Sequence, residues 1–578
     1  MPTLIYDRDC GFCRRWVERF RGITGDRVEY LASADAAKRF PNIPAEVMDR
    51  AVVFVESDGT VREGARAVFG ALGPLWLEVY ERLPGFAPVS EWSYGLVARN
   101  RMFFSRVTRL LWGEDLSLPT YHLARWLFLK GMALCYGIAF VSFAVQAPGL
   151  VGPRGIMPAP GLDPAMLAWA GAGLSVVFLF GLLPSLLSAL LWLMYRQVYL
   201  VGGVFLGFQW DILLLEAGVL AFLLAPWGIR PRLADARAPS TAALWLVRWL
   251  WFRLVFLSAL VKLASGDALW SGLTALSVHY ETQPLPTVGG WWAHQLPAGA
   301  QRFSCAVMFF IELVLPLAIF LPRRPRLAAF LGVNLLMLLI AATGNYTFFN
   351  LLAFVLSLPL LDDSLLGRKA APGPREPRAR RALGWAFAAF VVPVSIVQGL
   401  TRVWTPVARD PGLQRVAAAG HAYQLVSAYG LFAVMTPRRG EIVVEGTVDG
   451  REWKAYEFRW KPGDPARRPG WVQPHQPRLD WQMWFAALSP YQHNGWYLAF
   501  LQRLLEGSPE VRGLLANDPF PAAPPKAIRS LFYEYKFTDA KTRRETGAWW
   551  RREFRGMYAP ILTLMPDGRL AALAPPGD

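Results

Sequence analysis

The sequence predicts a polytopic α-helical membrane protein of about nine transmembrane helices, with a small α/β domain at its N-terminus and a β-rich α+β domain at its C-terminus. Three observations point there. The 578 residues are 54% hydrophobic and 18% charged, beyond the roughly 45–50% apolar share of an ordinary soluble domain. The charges avoid the middle of the chain: residues 121–361 hold 14 Lys/Arg and 7 Asp/Glu, whereas residues 1–120 hold 16 of each sign. Finally, short alternating apolar runs at both ends flank long unbroken ones between, so the hydrophobic period itself changes along the chain.

The first element is a short strand, Thr3 to Tyr6, followed by a turn from Asp7 to Cys10. From Cys13 a helix places Trp16, Val17 and Phe20 on one face and Arg14, Arg15, Glu18 and Arg19 on the other. Val28 to Leu31 and Ala51 to Val55 read as strands, the latter turning through Asp58-Gly59 into Val61. A strand, a Cys-x-x-Cys at a helix start and later strands make the thioredoxin-like order.

Apolar segments follow near 125–145, 165–183, 185–206, 212–228, 242–264, 303–321, 326–343, 346–361 and 383–400. Each approaches the roughly 20 residues that cross about 30 Å of hydrocarbon, although several are short. Arg99, Arg101, Arg106 and Arg109 precede the first; Arg230, Arg232 and Arg237 follow the fourth; Arg323, Arg324 and Arg326 follow the sixth; and the tract Arg368 to Arg381 follows the eighth. Loops 146–164, 265–302 and 344–345 hold few basic residues. The basic loops therefore share the cytoplasmic side with the N-terminus, and an odd number of spans sends residues 401–578 to the other side. The expected domains are 1–110, a transmembrane core of about eight helices over 120–361, a basic Pro/Gly-rich cytoplasmic linker over 362–381, a last transmembrane helix over 382–400 and a C-terminal domain over 401–578. The net charge of +17 thus reads as a topology signal rather than a nucleic-acid footprint, since no recognised motif accompanies it.

In the C-terminal part, Glu441 to Val448 and Glu452 to Lys461 flank Asp449-Gly450 as a hairpin. Tyr456, Phe458 and Trp460 share one face of its second strand. Asp480 is placed to cap a helix bearing Trp481, Trp484, Phe485 and Leu488; Ser508-Pro509 starts another; and Leu531, Tyr533, Tyr535 and Phe537 alternate as a strand. Trp453, Trp460, Trp471, Trp481 and Trp484 with Tyr456 and Phe458 exceed what a domain core needs. Part of this set is core; the remainder, rimmed by Arg459, Lys461, Arg467 and Arg468, would suit a non-native client or lipid headgroups. Arg478 and Asp480 would form a buried pair orienting the Trp481 helix, or a cap.

Four cysteines exclude a disulfide-built scaffold, and Cys135 and Cys305 lie inside apolar runs. The remaining two carry chemistry: a thiol at a helix N-terminus meets the positive end of the dipole, so Cys10 would be the nucleophile and Cys13, one turn on, the resolving thiol. Asp7 and Asp9 would oppose a thiolate if they faced it. The run Tyr6-Asp7-Arg8-Asp9-Cys10-Gly11-Phe12-Cys13, with Asp58-Gly59 and Gly64-Ala65, resembles the DCC family of thiol–disulfide oxidoreductases over about residues 3–110. That resemblance implies a thioredoxin-like fold and a thioredoxin-type redox partner, although thioredoxins' cis-proline has no counterpart before Ala51.

Ionisable residues in the membrane core are costly and mark function or pairing. Asp211, Glu216, Lys262, Asp267 and Glu312 stand there beside Gln209 and Trp210, and structural pairing is the expected role; Asp211 and Asp267 lie near span ends, and Lys262 is near enough to an end to snorkel. His279 and Glu281 lie in an aromatic outer loop without a recognised ligand spacing, so no metal or cofactor is expected. The run Arg248 to Asp267, HYETQPLP over 279–286, TGNYTFFN over 343–350, YGLFAVMT over 429–436, YEFRWKPGD over 456–464 and PHQPRLDWQMWFAAL over 474–488 are similar to the lipase maturation factor family. The similarity runs in order over about residues 120–570. It implies a polytopic membrane protein, endoplasmic-reticular in animals, that helps lipases reach their folded state, with no established catalytic residues. The sequence reading is therefore a membrane-embedded maturation factor for exported lipases or related hydrolases, fused to a thiol–disulfide domain. Its expected site residues are Cys10 and Cys13, with Tyr456, Phe458, Trp460, Arg478, Trp481 and Trp484 facing a client. Without a signal peptide, a bacterial inner membrane is expected, or the endoplasmic reticulum in a eukaryote, with the C-terminal domain periplasmic or lumenal. Two alternatives stand beside it: an integral-membrane protein-disulfide oxidoreductase using Cys10 and Cys13, and a membrane-bound enzyme using Lys262, His279 and Glu281.

Overall fold

The computed structural model describes residues 1–233, 237–368, 373–374, 376–421 and 423–573. The chain divides into two compact units, Met1–Thr120 with Phe320–Ala328, and Tyr121–Ile319 with Ala329–Asp578.

In the first unit, strands β1 (Thr3–Tyr6), β2 (Glu29–Ala32), β3 (Val53–Val55) and β4 (Val61–Glu63) form a sheet in the order β2-β1-β3-β4. β1 runs parallel to β2 and antiparallel to β3. A parallel pair needs a crossover, and the helix Gly11–Thr24 supplies it. Alternation sends Ile5 and Val53 to one face and Leu4 and Phe54 to the other, so each face has its own apolar cluster. The helix begins two residues before the expected Cys13, because Cys10 itself is the N-cap.

Six helices among the described residues are long and apolar enough to cross a membrane: His122–Ala144, Pro184–Phe205, Thr241–Ala264, Ala298–Phe320, Arg323–Thr343 and Arg378–Val403; all their residues but Phe320 and Arg323–Ala328 belong to the second unit. Three of the nine expected segments fold as shorter helices, Pro164–Leu179, Gln209–Leu224 and Phe349–Ser357. Sixteen residues rise only about 24 Å, so Gln209–Leu224 falls short of a full hydrocarbon thickness. It lies in the interior instead, with most of its residues buried. Residues 369–372 and 375 of the expected linker lie outside the described residues; the last long helix starts at Arg378.

A five-stranded antiparallel sheet follows in the order β6-β5-β7-β8-β9, from β5 (Arg439–Thr447), β6 (Lys454–Tyr456), β7 (Ala527–Phe537), β8 (Trp550–Leu564) and β9 (Leu570–Ala572). Asp449-Gly450 makes the hairpin, with Gly450 at φ +74°. The expected strand 452–461 shortens to three residues, since the Trp460 and Lys461 N–H groups donate to the Asp480 carboxylate instead of to a ladder. This sheet and its helices sit on the bundle ends near Ser142–Gln146, Val204–Asp211, Thr282–Gln283 and Ala341–Asn345.

The helices approach closely where side chains are smallest. A Cβ on Gly218 would run into the Tyr136 hydroxyl, whereas one on Gly173 meets nothing within 4 Å. Overpacking of this kind costs about 1–3 kcal/mol. Gly218→Ala should therefore lower the thermal unfolding midpoint in detergent, and Gly173→Ala should leave it unchanged or slightly raised.

Candidate functional site

The cysteine pair is built by the turn between β1 and the first helix. Asp7 Oδ1 accepts from the N–H of Asp9 (2.9 Å) and of Cys10 (3.2 Å), which fixes the turn, and Cys10 Sγ accepts from the N–H of Cys13 (3.3 Å). The Asp7 carboxylate is thus engaged by backbone donors and, at 3.0 Å, by Arg101. Arg101 also donates to the carbonyls of Asp49 and Arg50, just before β3. Sequence reasoning counted Arg101 only among the basic residues ahead of the first span; nothing local reveals a contact 94 residues away. Burial, then the hydrogen bond to Cys10, pushes the Cys13 thiol up to about 12. Cys13 therefore stays protonated at neutral pH, as a resolving thiol waiting on its partner does. A cavity of about 270 Å³, lined by Phe12, Cys13, Trp16, Val97, Tyr94 and Arg101 among others, opens beside the pair.

The polar residues of the membrane core are paired, as expected. Arg478 and Asp211 are fully buried and meet at 3.0 Å, and the Tyr195 hydroxyl donates to the same carboxylate. Arg478 also donates from its side chain to the Phe205 carbonyl and from its N–H to Gln146 Oε1. Around it, Ser142 bonds His475 and receives the Gln476 N–H, Gln146 donates to the Gln476 carbonyl, and Trp210 donates to the Gln476 side chain. Trp481 stacks edge-on against Trp210, ring centroids 4.8 Å apart, and Trp484 donates to the Thr282 carbonyl. Arg478 and Asp480 therefore neither pair with each other nor cap the helix Arg478–Ala486: the first reaches Asp211, and the second holds the Trp460–Lys461 backbone.

Glu216 forms a second joint. It pairs with Arg253 and accepts from the Ser427 N–H and the Tyr429 hydroxyl. Lys262 pairs with Glu312 at 2.8 Å in the interior instead of snorkelling. Asp267 caps Leu269 and receives the Met435 N–H. Loop 265–302 is folded into short helices with Trp291 buried. In it, His279 bonds Tyr346 and is pushed by burial down to about 4, hence neutral, while Glu281 accepts from the Phe537 N–H and faces His294. Lys262, His279 and Glu281 each have a separate partner. Among the described residues no cluster of His, Cys, Asp and Glu could hold a metal.

Of the six residues expected to face a client, Tyr456, Phe458, Arg478, Trp481 and Trp484 are buried. Trp460 is 37% exposed and lies over Gly470, next to Trp471, which is 52% exposed. Sequence reasoning missed Arg439, which is fully buried, pairs with Glu441 and donates to the carbonyls of Glu281, Gln283 and Pro284; Lys461 completes the set on Glu441. It also missed Asn345, which donates to the carbonyls of Leu285 and Gly470 and accepts from Val472. Their only signal was their position inside or beside the recognisable motifs.

Comparison with known proteins covers both units. The lipase maturation factor transmembrane domain matches residues 123–164 and 162–368, the lipase maturation factor C-terminal domain residues 425–560, and the DCC1-like thiol-disulfide oxidoreductase family residues 4–107. Human lipase maturation factor 2 is 35% identical over 76% of this chain and 83% of its own length, and its chicken counterpart 34% over 77% and 83%. Human lipase maturation factor 1 is 32% identical over 77% of this chain and 88% of its own. No solved structure is significantly similar.

Removing one partner of a buried ion pair typically costs about 3–5 kcal/mol, whereas an apolar replacement of both is far milder. Asp211→Asn and Arg478→Met should each destabilise strongly in thermal unfolding and open residues 470–490 to protease. The double variant Asp211→Leu with Arg478→Met should recover part of the loss. At the cysteine pair, iodoacetamide at pH 8 should label Cys10 before Cys13, as peptide mass spectrometry will read, because the Cys13 proton is held by burial.

Proposed function

The chain belongs to the lipase maturation factor family, and from that premise we propose that it assists the folding or assembly of exported lipases or related hydrolases. Its N-terminal unit, of the DCC1-like thiol-disulfide oxidoreductase family, would add exchange chemistry through Cys10 as attacking sulfur and Cys13 as resolving thiol. The observation that carries the main reading is the joint at Arg478 and Asp211: it holds residues 425–560 as a fixed platform on the bundle, and matched family regions lie on both sides of it. A platform suits a chaperone, which presents surface rather than reacting groups. The enzyme reading through Lys262, His279 and Glu281 finds no support in their separate partners.

The membrane orientation proposed is N-terminus and basic loops in the cytoplasm, residues 401–578 outside, with all nine apolar segments running between the two bundle ends. Two features support it. The C-terminal domain sits on the loops poorest in arginine, and Arg230, Arg232 and Arg380 gather at the opposite end. A bacterial plasma membrane, or the endoplasmic reticulum in a eukaryote, fits that arrangement. The exposed pair Trp460 and Trp471, with Arg459 and Arg468 nearby in sequence, is the proposed contact for a non-native client.

Cells secreting a lipase should yield several-fold less active enzyme per unit of lipase protein when this chain is absent. Trp460→Ala with Trp471→Ala should lower that yield while leaving the chain's own unfolding midpoint unchanged. Equal specific activity with and without the chain would refute the maturation reading. Cys10→Ser should leave the yield intact if the thiol unit acts on other substrates, and abolish it if exchange at Cys10 is the route.

A further inference from the structure

The end of the bundle opposite the C-terminal domain carries a recess of about 870 Å³, inside the roughly 300–1,000 Å³ range of ligand cavities. Five arginines, Arg125, Arg230, Arg232, Arg237 and Arg380, stand in an otherwise largely apolar wall, with Glu376 the acidic member. Arg380 is already employed. It pairs with Glu376 at 3.6 Å and donates to the carbonyls of Phe222, Leu223 and Ala225, closing the C-terminus of the helix Gln209–Leu224. The other four have no carboxylate within 4 Å among the described residues. Arg125 is the telling one: it is 3% exposed, lies in the first turn of a membrane-spanning helix, lines the recess and makes no hydrogen bond among the described residues. A buried guanidinium with no acceptor within hydrogen-bond reach is costly; the carboxylates that face it from farther off are Glu376, which is shared with Arg380, and Asp363, so the five arginines of the recess outnumber the carboxylate that lines it and leave room for a further anion.

A second recess of about 300 Å³ continues from the first, sharing Pro226, Arg230, Pro231 and Arg232. Its wall is apolar: Trp126, Leu129, Phe178 and Phe180, with Lys130 at its edge. Trp227 and Ile229 stand exposed at the rim, as interfacial anchors do. An anionic group bound by several arginines beside an apolar slot along a membrane helix describes an amphiphile, and basic pockets between membrane helices hold acidic lipid headgroups.

We propose that the two recesses form a binding site for one anionic phospholipid, its phosphate held by Arg125, Arg230 and Arg232 and its acyl chain lying along Trp126, Leu129 and Phe178. A free phosphate would use the arginines but leave the apolar slot empty, which is why a lipid is favoured. The site adds to the maturation reading without depending on it.

Native mass spectrometry of the full-length chain, titrated in neutral detergent with phosphatidylglycerol or phosphatidylcholine of matched chains, tests this. One phosphatidylglycerol should be retained at least about tenfold more tightly than phosphatidylcholine. Arg230→Ala with Arg232→Ala, both on the exposed rim, should weaken phosphatidylglycerol about 30-fold and leave phosphatidylcholine unchanged. Arg125→Gln should do the same; should it fail to fold, the rim variant alone decides. Equal retention of the two lipids, unaltered affinity in the rim variant, or displacement of phosphatidylglycerol by millimolar inorganic phosphate would each overturn the proposal.

Discussion

The buried pair of Arg478 and Asp211 is the constraint on which the second unit turns. Two charges withdrawn from water are expensive unless every polar atom nearby is answered. Here the answer recruits three segments: Tyr195 and Phe205 from one helix and its end, Gln146 beyond another, and Asp211 at the start of a third. Because the partners come from three stretches of chain, meeting them all constrains the placement of residues 474–488. The neighbouring bonds from Ser142, Gln146 and Trp210 to His475 and Gln476 then read as the satisfied rim of that central charge.

The same logic explains what the recurring motifs are for. HYETQPLP provides the carbonyls that Arg439 grips; TGNYTFFN provides Asn345 and Tyr346; YGLFAVMT docks on Glu216 and Asp267. These stretches mark places where bundle and sheet are stitched together. On the proposed reading the function rests on what the stitched surface displays, and Trp460 and Trp471 remain exposed outside the joint.

Local features were legible in the sequence because local physics makes them. Asp449-Gly450 signals its hairpin through a backbone that favours positive φ, and Cys-x-x-Cys after a short strand signals a helix start. The nine apolar runs also emerged as nine helices, but run length cannot separate a helix facing lipid from one enclosed by protein, and Gln209–Leu224 is enclosed. The contacts of Arg478 with Asp211, of Arg439 with the Glu281 carbonyl and of Arg101 with Asp7 were illegible for a different reason: they span 94 to 267 residues, and sequence spacing carries no signal for such pairs. The tryptophans of the Arg478–Ala486 helix misled for the same cause, since an aromatic face reads alike whether it meets a client or its own bundle.

The separation of Asp211 from Arg478 also sets a schedule for biogenesis. Residue 211 is complete 267 residues before its cation exists, roughly 15–50 s at ordinary rates of chain elongation. Through that interval Asp211 lacks Arg478 and has the Tyr195 hydroxyl as the partner already made. A chain truncated or stalled before residue 478 lacks the cation of this pair. Closure of this joint therefore waits until after the last long helix, which ends at Val403, has been made.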